Sequence, residues 1–266
     1  MEVLDFISLT LVAIPIGLIA SLIGIGGGIF MVPLLVMFYS ASIPTTQVAV
    51  GTSLAAIIFT SLSSTLGYAR QKVVDFRLGL PLMPSSLAGV LLGAYLTEFI
   101  SSQHLALIFG AILVYVSVLM LWGKAPLDLA RALTRKSVGD DMKFRLFSIV
   151  VVGFLAGLAS GFFGIGGGII MVPALSMVLG IDILVAIATS LFVMGPMALI
   201  GSMEHTILGH VRYSHAIALA LGIIIGAQLG TITSAFVPKA LLRRIFGVVL
   251  LWSAYNMLSK GITLSL

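Results

Sequence analysis

From Phe6 to Ala69 this sequence contains no Asp, Glu, Lys or Arg. That run decides the solvent before it decides the fold. A helix needs about 20 apolar residues to cross the hydrocarbon core of a bilayer, so the stretch holds more than one crossing. Further uncharged runs follow at Leu78–Thr97, Phe99–Gly123, Leu146–Ile181, Ile183–Met203, Tyr213–Pro238 and Ile245–Ser259. A single such run could be a buried core helix, but their succession could not. Only 9% of the chain is charged and 60% is hydrophobic, with a mean hydropathy of +1.23. A soluble domain carries about 25% charged residues. The expected fold class is therefore an all-α polytopic membrane protein with the lipid bilayer as its partner. It is expected in the cell membrane, plasma or inner, as a multi-pass chain.

The 14 Lys and Arg exceed the 9 Asp and Glu. They lie in short loops between apolar runs, the pattern of a positive-inside bias rather than of a nucleic-acid surface. The longest hydrophilic segment contains Lys124, Arg131, Arg135, Lys136, Lys143 and Arg145 against Asp128, Asp140 and Asp141. It divides the chain into a first transmembrane repeat (1–123), a cytoplasmic basic linker (124–145) and a second repeat (146–266). Cysteine is absent, so no disulfide or cysteine metal site forms. Residues Met1 to Asp5 are acidic and lack the basic start of a cleaved signal peptide, so the first run is read as mature protein.

The halves repeat each other. Residues 24–35 read GIGGGIFMVPLL and residues 164–175 read GIGGGIIMVPAL. Downstream, Gly51, Thr52, Ser53 and Leu54 face Ala188, Thr189, Ser190 and Leu191, and Phe109 and Gly110 face Phe246 and Gly247. Internal duplication is common in secondary transporters, whose sites lie between the repeats near the midplane.

The glycine run carries the chemistry. As one helix, Phe6 to Phe38 would be about 50 Å long, well beyond the roughly 30 Å core. Glycine costs about 1 kcal/mol per helical position against alanine, so Gly24, Gly26, Gly27 and Gly28 mark a break, as do Gly164, Gly166, Gly167 and Gly168. Broken backbone survives at membrane depth only where protein or a water-filled cavity satisfies it. A helix restarting beyond the break presents free N–H groups and a positive dipole end, which favour an anion. Both runs are candidate substrate-binding segments. Thr52, Ser53, Thr189 and Ser190 join them as hydroxyls at matched positions, with helix back-bonding as the competing explanation. Gln228, opposite Leu91, is a further candidate donor or interhelical glue.

Other signals carry less. The spaced glycines 89/93, 153/157/161 and 222/226/230 are expected to pack helices. A dinucleotide fingerprint would need a preceding strand, and no cofactor is expected. His205, His210 and His215, five residues apart, do not share one helical face; an interfacial role is expected, not a metal site. No charged residue falls deep inside a segment, so the paired groups of an enzyme are missing. An obligatory deep carboxylate relay is likewise not expected; Glu98, Asp182 and Glu204 lie near segment ends.

The duplicated GxGGGxxxVP motif, the Thr-Ser-Leu motif and the two four-segment halves resemble the sulfite exporter TauE/SafE family of membrane permeases over nearly the whole chain. The resemblance implies transport of sulfite, sulfonates or related small organic acids. Two topologies fit the charge pattern. If each glycine run crosses once, the halves are parallel and all Lys and Arg but Lys239, Arg243 and Arg244 share a side. If each run is a re-entrant hairpin, three crossings remain per half, the repeats are inverted, and Arg212 and Lys260 form the minority. Inversion is favoured because it brings two glycine tips together at the midplane. Either way the Arg70–Arg77 loop is expected to be cytoplasmic. The expected function is secondary transport of a small anion, with a passive anion channel as the alternative. The oligomeric state, a homo-oligomer included, stays open.

Overall fold

A computed structural model describes residues 3–122, 142–234, 236, 248, 251–259 and 261–262. The linker from Lys124 to Asp141, and Lys239, Arg243, Arg244, Phe246, Gly247 and Lys260, lie outside these residues. Among them every regular element is helical. In the first half α1 (Val3–Ile23), α2 (Gly28–Phe38), α3 (Thr46–Arg70), α4 (Phe76–Leu96) and α5 (Ser102–Trp122) follow in order, with a 3₁₀ turn at Thr97–Phe99. In the second half come α6 (Met142–Phe163), α7 (Gly168–Pro173), α8 (Ile183–Ile207) and α9 (Tyr213–Thr233). A π-helical turn, Ala174–Val178, extends α7. Among the described residues, five helices are long and apolar enough to cross a membrane: α1, α3, α4 with its 3₁₀ turn, α8 and α9.

Local chemistry sets the helix starts. Thr45 caps α3 by accepting from Val48 N–H. Asp75 Oδ1 accepts from Arg77 and Leu78 N–H at the start of α4, and Asp182 Oδ1 accepts from Leu184 N–H at the start of α8. Each cap satisfies a donor that the helix cannot. Apolar residues run around the whole circumference, so the outward faces stay greasy: Leu11, Leu62, Leu66, Ile217 and Ile225 are exposed, as lipid-facing side chains are.

Helix directions follow from the contacts. Gly222, Gly226 and Gly230 of α9 lie in sequence against Thr10, Ile14 and Leu18 of α1, so these helices run parallel. Gly153, Gly157 and Gly161 of α6 lie against Leu82, Ser86 and Val90 of α4, also parallel, with Gly89 and Gly93 in the same contact. All three spaced-glycine series thus pack helices, because a Cβ would meet the opposing backbone. The central pair differs. Gly51 of α3 lies against His205 of α8, whereas Ser61 donates to Leu191 O, so α3 and α8 run antiparallel. Tyr39, just past α2, hydrogen-bonds Ser8 near the start of α1 at 3.1 Å. The chain therefore reaches its glycine break along α1 and returns along α2. The first segment is a full-length helix plus a shorter return, a more unequal division than the sequence suggests.

Candidate functional site

The two glycine breaks meet in the interior. Residues 24–27 and 164–167 are non-helical, while Gly28 and Gly168, expected inside the breaks, open α2 and α7. Positive φ occurs at Gly24 (79°), Gly26 (78°), Gly27 (90°), Gly164 (68°), Gly166 (80°) and Gly167 (76°). This left-handed region costs L-residues about 1–2 kcal/mol each, and three such positions in four explain why glycine fills the run. Gly28 and Gly168 are needed for space instead. A Cβ on Gly28 would overlap the Gly164 carbonyl, and one on Gly168 would overlap the Gly24 carbonyl.

Reciprocal hydrogen bonds tie the breaks to the central helices. Ser53 Oγ on α3 shares its proton between Val50 O, 2.8 Å, and Gly164 O, 2.9 Å. Ser190 Oγ on α8 does the same with Ile187 O, 2.8 Å, and Gly24 O, 3.1 Å. Each half's serine thus holds the other half's turn. Thr52 and Thr189 work one residue away. Thr52 Oγ1 accepts from Arg212 N–H at 3.0 Å, and Thr189 Oγ1 accepts from Asp75 N–H at 3.1 Å. These threonines pin opposite connecting loops rather than the turns. All four hydroxyl residues are buried.

The donors expected at the restarting helices are present. Neither Gly27 nor Gly167 provides a side-chain cap. Phe30 and Met31 N–H bond back to Gly27 O, and Ile170 and Met171 N–H to Gly167 O. Among the described residues, no acceptor is found for the N–H groups of Gly26, Gly27, Gly28 and Ile29, or of Gly166, Gly167, Gly168 and Ile169. Both turns are buried, so these donors form two clusters of positive potential in a low-dielectric interior.

Two residues that the sequence reading did not single out line the crossing. A Cβ built on Gly26 or on Gly166 would stand 2.9 Å from Met194 Sδ, and Ile57 lies against both. Neither type announces a site, but both fall one helical turn beyond the paired serines. Gln228 is drawn elsewhere: its Nε2 donates to Ser63 O at 2.6 Å and to Ser63 Oγ at 3.1 Å. It ties α9 to α3, the interhelical role that competed with ligand binding. Of the histidines, His205 and His210 come together with ring centroids 5.7 Å apart. His215 lies against Tyr39 instead. Among the described residues no group of three potential metal ligands forms.

The family model described as sulfite exporter TauE/SafE matches residues 9–257. The chain is 35% identical to the probable membrane transporter protein YunE of Bacillus subtilis, covering 97% of this chain and 99% of that protein. It is 32% identical to a probable membrane transporter protein of Xylella fastidiosa, over 89% and 88% of the two chains. It is 30% identical to the probable membrane transporter protein YdhB of Bacillus subtilis, over 88% and 92%. No solved structure matches.

Proposed function

This chain belongs to the sulfite exporter TauE/SafE family of multi-pass membrane transporters, and on that premise we propose that it carries a small sulfur-containing anion, sulfite, a sulfonate or a related organic acid, by alternating access. The observation that carries the reading is the crossing of two buried glycine turns with acceptor-free N–H groups. An oxyanion is the complementary ligand, since fixed backbone dipoles can replace its hydration shell without a buried countercharge.

The proposed substrate segments are Gly24–Gly28 and Gly164–Gly168. Ser53 and Ser190 hold the turns, and Thr52 and Thr189 brace the loops behind them. Met194 is the mobile element: an unbranched thioether adapts its shape at low cost, and its withdrawal would uncover both turns. We further propose that residues 1–123 and 146–266 are inverted repeats joined by a cytoplasmic linker. The antiparallel course of α3 and α8, which occupy equivalent places in the two halves, supports inversion. So does the return of α2 toward the start of α1. Export of an anion needs no deep carboxylate, because a negative-inside potential supplies about 2.3 kcal/mol per charge per 100 mV.

The test is uptake of labelled sulfite and methanesulfonate into proteoliposomes. Saturable flux with counterflow, responding to an imposed potential and persisting without a pH gradient, is the expected result. Single-channel conductance would replace the carrier with a passive channel. Absence of flux for both anions would remove the sulfur-anion assignment.

A further inference from the structure

At one pair of equivalent positions the halves make the same bond with different chemistry. The offset that pairs Ser53 with Ser190 also pairs Tyr68 with His205. The Tyr68 hydroxyl donates to Ser21 O of α1 at 3.0 Å. His205 Nε2 lies 3.1 Å from Gly161 O, the equivalent carbonyl of α6. A carbonyl only accepts, so Nε2 carries the hydrogen and Nδ1 of the neutral ring is a bare lone pair. His205 is fully buried, and its Nδ1 has no hydrogen-bond partner. A phenol at this place is a fixed neutral donor, whereas an imidazole can take a second proton.

His205 is joined to the end of the bundle by a second histidine. His210 N–H donates to His205 O at 2.7 Å. His210 Nε2 lies 3.4 Å from Glu98 Oε1 in the α4–α5 connection, and its Nδ1 is also buried without a partner. Burial pushes His210 below the usual histidine range, and the Glu98 carboxylate partly opposes this. The first half has Val73 where the second has His210, so the titratable chain exists on one side only. The other ionisable neighbours are Glu204, beside His205 in sequence, and Arg212, whose Nε is spent on Ser42 O at 3.3 Å. The faces of α3 and α6 against the pair present Gly51 and Gly161, neither ionisable.

We propose that Glu98, His210 and His205 form a proton-binding site on the second half's side of the crossing, and that a proton held at His205 Nδ1 strengthens anion binding at the Gly164–Gly167 turn. The inference rests on the reading of that turn as an anion site. Gly161 lies in the last turn of α6, three residues before the break, so an imidazolium there is close to the bound charge. It also sits at a helix C-terminus, where the dipole favours a cation. Linkage is reciprocal: acid raises anion affinity, and the anion draws in the proton. This device is separate from a deep carboxylate relay, and modulates transport rather than being required for it.

The test uses the full chain in nanodiscs with ¹⁵N-labelled histidine, its four histidines assigned by single substitutions to Gln. At pH 8 His205 is expected as the neutral Nε2–H tautomer. Burial opposes the second proton, so without anion the ring is expected to stay mostly neutral at pH 5. Methanesulfonate, which keeps its charge throughout, should move the midpoint up by about one unit, a tenfold linkage, so that the proton is taken up as the pH approaches 5. A His205 ring that stays neutral down to pH 5 with and without the anion overturns the site. In proteoliposomes, methanesulfonate flux at limiting concentration should rise as the pH falls from 7.5 to 4.5, by up to the roughly tenfold that a one-unit linkage permits. His205→Gln keeps an N–H for Gly161 O, and should flatten that rise, as should His205→Tyr; His210→Gln should weaken it. An identical pH profile in wild type and both His205 variants overturns the coupling. If neither methanesulfonate nor sulfite is bound or carried, the anion-site reading fails, and the histidine titration alone judges the proton site.

Discussion

The first and second halves build the same crossing from the same residues, yet surround it differently. Near the centre they are interchangeable: Ser53 holds Gly164 O as Ser190 holds Gly24 O, and Gly28 and Gly168 make equivalent close approaches. One turn or more away they diverge. Tyr68 answers to His205, and an 11-residue α2 answers to a six-residue α7 continued as a π turn. Conformation and contact at the crossing are demanded of both turns at once, so a change in one half would misfit the other. Farther out each half meets its own surroundings, and only the helix ends have to match. The shared part is the proposed substrate site; the unshared part is where direction and regulation can enter.

The sharpest way to break the comparison is topological. If the halves are inverted, a cysteine at Gly209 and one at Lys72, both exposed loop positions, should be labelled from opposite sides of the membrane. Lys72 should be reached only from the cytoplasm. The readout is an impermeant thiol reagent on intact and opened cells, all-or-none because the chain has no native cysteine. Labelling of both from one side would return the parallel arrangement.

Next in size, Gly28→Val and Gly168→Val should each abolish transport and destabilise the protein by about 4 kcal/mol or more, as overlap with a buried carbonyl allows no local repair. Paired effects within about 1 kcal/mol, read by thermal unfolding in detergent, would support a shared crossing. A silent variant in either half would end the symmetry argument.

Ser53→Ala and Ser190→Ala remove one bond each from a turn. Each should cost about 1 kcal/mol and slow transport about fivefold, equally in the two halves; strongly unequal losses would mean that one turn alone binds the anion. The smallest effect belongs to the differing helix caps. Asp182→Asn keeps a cap of similar strength on α8, so stability should shift by less than about 0.5 kcal/mol and transport should persist. Loss of transport would give Asp182 the coupling role that its exposed, capping position argues against.

Much of this was legible beforehand because lipid leaves few options. Uncharged runs give helices, contiguous glycines give breaks, and a repeated motif gives paired breaks. The spaced glycines, expected from sequence to pack helices, are found in that role. Gln228 was not separable from a ligand donor, since an amide in an apolar run looks the same whether it faces substrate or Ser63. His205 was visible as a residue but not as Tyr68's counterpart. The repeat register reaches it only when carried fifteen residues past the serine pair.

By itself the sequence determined the solvent, the helices, the duplication and the position of both breaks, because each depends on residues near one another in the chain. Tertiary structure alone decided that the breaks touch, that each serine reaches across to the opposite turn, and that Met194 covers both glycine turns at once. The serine contacts join residues more than a hundred positions apart. Local propensity carries no record of them, and only the packing of the two halves against each other brings them within bonding distance.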